Sequence, residues 1–132
     1  MKKFKILSIF FFSFLLVVLF NSCNKDNSSK SIDDLIQYFS KNFQVSSKSE
    51  KLYQMIGAID GCGIKINGNS VEIYKFDIND KGSKNILKNI ESTNTFTVLG
   101  MTFPAIVNGS FVLSSYNNHP DKDKIIESFS NF

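Results

Sequence analysis

Two Asn-Gly dipeptides, Asn67-Gly68 and Asn108-Gly109, stand about 40 residues apart, each between runs of β-prone residues. No other feature constrains the fold as tightly. Asn and Gly tolerate the positive φ that the central positions of a tight hairpin turn require, so each dipeptide predicts two adjacent antiparallel strands. Cys62, Ile64 and Ile66 alternate ahead of the first turn, and Val71, Ile73 and Tyr74 to Phe76 follow it. Ahead of the second, Thr95 to Leu99 and Met101 to Val107 read as strands; Phe111 to Tyr116 reads as a strand after it.

Helical spacing surrounds these hairpins. Ser31 offers a capping hydroxyl, Asp33 and Asp34 suit the positive end of a helix dipole, and Ile32, Leu35, Ile36 and Phe39 form one apolar stripe. That helix should end near Phe43. Ser47 and Glu50 have the spacing of a capping box and predict a second helix, with Leu52, Met55 and Ile56 running toward Gly57. Asp77 to Gly82 is a polar turn, after which Ile86, Leu87 and Ile90 mark a third helix. His119-Pro120 opens a last one, with Pro at the first helical position, Asp121 and Asp123 in the first turn and Ile125, Ile126 and Phe129 facing inward.

Strand, Asn-Gly, strand, turn and helix thus occur twice, as INGNSVEIYKFD…KNILKNI and VNGSFVLSSY…DKIIESF. We read this as a ββα duplication behind two N-terminal helices, the alternative being two units that arose separately from the same local rules. Either way the expected class is α+β, one mostly antiparallel sheet with helices on a face.

Residues 1–23 read MKKFKILSIFFFSFLLVVLFNSC. Lysines precede an apolar run from Ile6 to Phe20, too short for a helix of roughly 20 residues that spans a bilayer and suited to a signal segment. Asn21, Ser22 and Cys23 close it. The segment resembles a bacterial lipoprotein signal, in which small residues precede a Cys that receives a diacylglyceryl group and becomes the first residue after cleavage. Phe20 and Asn21 depart from the usual Leu and small residue, with Leu19 one position early. The resemblance implies a signal peptide over residues 1–22, a lipidated Cys23 followed by a polar tether to residue 30, and a single domain over residues 31–132. It also implies attachment to a bacterial cell or outer membrane, outside the cytoplasm. Segments YQMIGAIDG, VEIYKFD, VNGSFVL and HPDKDKIIESF look like those of small bacterial lipoproteins and secreted proteins. That likeness covers about residues 50–132 and brings no catalytic residue with it.

Charge narrows the partners. The chain has 15 basic residues, all Lys, against 12 acidic ones, and Lys2, Lys3 and Lys5 account for the excess. A neutral body without Arg lacks the clustered cations that phosphate binding needs, so nucleic acid is not an expected partner.

Few residues offer chemistry. Asp77 to Gly82 resembles the opening of a Ca²⁺ loop, but Lys81 and Lys88 occupy positions where oxygen ligands belong, so no metal site is expected. His119 lies near Asp121 and Asp123, a set that suits either binding, of a metal or another ligand, and proton transfer, or a helix start. Cys62, between Gly61 and Gly63, is either a small buried residue, a reactive thiol, or half of an intermolecular disulfide. Tyr74 and Tyr116 end their repeats' second strands and are candidates for an exposed binding surface. Residues 71–129 resemble the C-terminal half of thioredoxin in element order and in Pro104 before a strand, but no C-x-x-C is present. The expected function is therefore a membrane-anchored, non-catalytic binding module without cofactor, contacting an envelope protein or a small ligand. Alternatives are a thiol-dependent or thioredoxin-like protein using Cys62, and an inhibitor of an external hydrolase.

Overall fold

Alternation and helical spacing act on different parts of the chain, and the result is a sheet clad on both faces. The computed structural model describes residues 27–132; the expected signal segment and Cys23 lie outside them. Helix α1 (Ile32–Ser40) comes first, then β1 (Val45–Glu50), a single 3₁₀ turn (Tyr53–Ile56), β2 (Asp60–Ile66) and β3 (Asn69–Lys75). Helix α2 (Lys81–Thr93), β4 (Thr95–Val98), β5 (Met101–Asn108), β6 (Phe111–Ser114) and α3 (Lys122–Ser130) complete the order. The six strands are antiparallel throughout, in the spatial order β1-β2-β3-β6-β5-β4.

The first helix forms as its sequence predicts. Asp34 N–H donates to the Ser31 hydroxyl, and Ser31 N–H donates to the Asp34 carboxylate. Ile32, Leu35 and Phe39 are the buried stripe. The second expected helix is not found. Residues 45–50 form edge strand β1, with a bulge between Ser46 and Ser49 where Ser47 takes φ +54°, and only Tyr53–Ile56 makes a helical turn. Beyond Val45 every residue of β1 is exposed, so a helix here would have no buried stripe to hold it, whereas β2 offers ready hydrogen bonds.

Each face has its own core. On one, α1 and α3 cover Cys62, Ile64 and Ile66 of β2, Val71 and Ile73 of β3, and Phe111 and Leu113 of β6. On the other, Leu87 and Ile90 of α2 pack against Tyr74, Phe76, Phe96, Ala105 and Val112. Helices therefore lie on both faces, not on one. This also bears on the duplication. The two-fold that would exchange antiparallel neighbours β3 and β6 runs perpendicular to the sheet and leaves each helix on its own face. Because α2 and α3 lie on opposite faces, the two ββα units are not copies related by that axis.

The two hairpin turns also differ. Asn67 and Gly68 take φ +50° and +83° between paired Ile66 and Asn69, as expected for a type I′ turn. In the second hairpin Asn108 pairs with Phe111, so the loop is Gly109-Ser110 with only Gly109 at positive φ, +60°. The register moves by one residue because a slip would turn Phe111 and Leu113 out of their core. Asn108 instead remains in the strand, and its side chain donates to the Phe129 carbonyl at 2.8 Å.

Residues 27–30 are not free tether. Asn27 is 2% exposed; its amide donates to the Asn108 carbonyl, and its side-chain oxygen accepts from both the Ser110 N–H and the Ser110 hydroxyl. Lys75 donates to the Ser28 and Lys30 carbonyls, and Lys30 to the Phe132 carbonyl. The docked structure thus reaches back to Asn27.

Candidate functional site

The final helix begins two residues later than its Pro implies, with Asp121 at the N-cap and Pro120 in the preceding turn. That placement decides the role of His119. The Asp121 N–H donates to Nδ1 at 2.9 Å, so Nδ1 carries no proton, and Nε2–H donates to the buried Ile66 carbonyl at 2.7 Å. The ring ties the start of α3 to the end of β2. His119 and Asp121 meet through backbone, while the Asp121 carboxylate accepts from the Asn67 amide.

Cys62 lies in the α1–α3 core at 2% exposure, and burial pushes its thiol up to about 11. A thiol must lose its proton and become a thiolate before it attacks a disulfide or an alkylating reagent. Iodoacetamide at neutral pH is therefore expected to leave Cys62 unmodified in the folded protein and to label it once urea has unfolded the chain; rapid labelling without urea would contradict this.

Tyr74 and Tyr116 are both buried, each at 7% exposure, and not on an exposed surface as their strand-end positions implied. Tyr116 packs within the α1–α3 core, where burial raises its pKa. Tyr74 packs edge-on against Phe96 and donates to a Glu72 carboxylate oxygen at 2.7 Å. Burial, followed by that hydrogen bond, raises its pKa far above the usual phenol value. The other Glu72 oxygen lies 3.0 Å from the Lys51 ammonium.

Lys51 of this Lys51–Glu72–Tyr74 chain lines a cleft of about 670 Å³, together with the rest of Lys48 to Gln54 and with Asp60, Gly61 and Cys62. Gly61 makes room for it, since a Cβ there would sit 2.8 Å from that of Tyr53 and crowd the Tyr74 ring. The arrangement presents one ion pair and a hydroxyl already committed to a carboxylate. It can orient a polar ligand but holds no nucleophile with a base beside it.

The exposed apolar residues escaped the sequence reading. Leu99, at 78% exposure, and Met101, at 57%, form the β4–β5 turn. Leu99 and Gly100 have φ +50° and +78°, a turn geometry that favours Asn-Gly and here carries Leu instead. Leu99 and Met55 border a groove of about 440 Å³ floored by Phe76, Ile90 and Phe96. The available signal was the Leu-Gly pair itself, a bulky apolar residue where a turn former belongs.

Among the described residues, no group of three or more His, Cys, Asp or Glu side chains could hold a metal ion, and no helix is long and apolar enough to cross a membrane. Compared with protein-family models, curated proteins and solved structures, the chain matches none.

Proposed function

We propose that this chain is a lipid-anchored protein of a bacterial cell envelope, acylated on Cys23, whose α+β domain binds an envelope protein or a small ligand without catalysing a reaction. The anchor rests on residues 1–23: three lysines, an apolar run of signal-segment length, and a Cys directly after small Ser22. A second, independent chain or further acyl group would make such an anchor firm, since one acyl chain alone binds a membrane only marginally.

The observation that carries the non-catalytic half is the use made of each chemistry-bearing side chain. His119 spends both ring nitrogens on backbone groups, Tyr74 spends its hydroxyl on Glu72, and Cys62 is sealed in a core. What these residues support is a rigid platform, and the exposed apolar groups lie elsewhere on it.

Intact mass of the protein extracted from the membrane fraction tests the anchor. The expected value is that of residues 23–132 plus acyl groups, and Cys23→Ala is expected to lose both the added mass and the membrane association. An unmodified mass that begins at another residue would overturn the reading.

A further inference from the structure

The buried Asn27 leaves very little chain between the domain and the proposed anchor. Only Asn24, Lys25 and Asp26 separate it from Cys23, and four residue steps span at most about 14 Å even when fully extended. Asn27 is fixed at one end of the sheet. Asp60, Lys75, Phe111 and Asn108 form a row across that end, paired in turn through β2, β3, β6 and β5. Asn27 binds Asn108 and Ser110 just beyond the row, and the last turn of α3 reaches the same end through the bond from Asn108 to the Phe129 carbonyl.

We propose that the domain rests on the membrane surface with this Gly109 end against the lipid headgroups, and presents the opposite end, with the Asn67-Gly68 turn, away from the bilayer. The inference depends on acylation of Cys23 and deepens that reading. Its occupant is the lipid surface, because the short spacer admits nothing else of domain thickness between the two. Exposed Ile59 stands at the same end, its N–H bonded to the Lys75 carbonyl. Exposed Asp60 pairs across the row with Lys75, and exposed Asp80 precedes exposed Lys81; these charges are mixed in sign, so the spacer and not charge attraction imposes the contact, and added salt leaves the orientation unchanged.

Fluorescence quenching in vesicles tests this. Ser130→Cys marks the membrane end and Ser70→Cys the far end, five residues along β3 from Lys75 and so about 17 Å away; both serines are exposed. The full-length acylated protein, carrying a fluorophore on one introduced thiol at a time, is placed in phosphatidylcholine vesicles containing headgroup spin-labelled lipid. The expected result is at least threefold stronger quenching at position 130 than at position 70. Insertion of ten Gly and Ser residues between Asp26 and Asn27 is expected to bring the two signals together. Equal quenching in the parent protein, with the acylated mass confirmed, overturns the orientation alone. An unacylated mass overturns it together with the anchor.

Discussion

Gly109→Ala is expected to lower the unfolding free energy by about 3 kcal/mol in urea titrations. Two effects add. A non-glycine residue in the left-handed region costs about 1 kcal/mol, and Gly109 has φ +60°. A Cβ there would also overlap the Asn27 side-chain oxygen, pushing Asn27 off the turn and leaving the buried Ser110 N–H unpaired, at about 2 kcal/mol. Asn27→Ala alone should cost about 2 kcal/mol for the same lost bonds. Because the first substitution already displaces the second residue, Asn27→Ala is expected to add almost nothing on top of Gly109→Ala. Additive losses in the double variant would show that Asn27 is not clamped at this turn.

His119→Ala has a comparable expected effect, about 3 kcal/mol, from two buried backbone groups that lose their partner at once. The Ile66 carbonyl loses its donor and the Asp121 N–H its acceptor. Hydrogen exchange separates this from a general loss of packing. The Asp121 amide should lose protection more than the Phe39 core does, since the ring fastens the start of α3 to β2. A loss under 1 kcal/mol, with Asp121 still protected, would return His119 to the pool of functional candidates.

The elements that sequence made legible are those in which a local device and a hydrophobic pattern agree. Ser31 and Asp34 cap a helix whose stripe is Ile32, Leu35 and Phe39, and Asn67-Gly68 turns a hairpin whose alternation is unbroken. Where only one signal is present, the reading fails. The Ser47–Glu50 spacing imitates a capping box, but beyond Val45 every residue of β1 is exposed, so no alternation was available to identify the edge strand. At Asn108 the turn device competes with the core demands of Phe111 and Leu113, and the core decides the register. Side assignment of α2 was out of reach, because an amphipathic helix records which of its own faces is apolar and nothing about which face of a sheet receives it.

The candidate site was less legible than the fold. Tyr74, Tyr116, His119 and Cys62 were identifiable as residue types able to do chemistry, yet their burial and their partners come from strands and turns distant in sequence. Asn27 illustrates the limit. Within NKDNSSKS it reads as one more polar linker residue, and its role depends on a turn more than eighty residues away.

That separation sets an order of events for a newly made chain. A polypeptide that emerges amino end first can form α1 and the β2–β3 hairpin early, but β3 has no second neighbour until β6 arrives, and Asn27 has no partner until the β5–β6 turn has closed. Loop closure over such distances is slow relative to local contacts. Asn27 thus stays undocked until the second hairpin has formed, and the latch that holds the first described residue to the Gly109 turn is among the last contacts to shut.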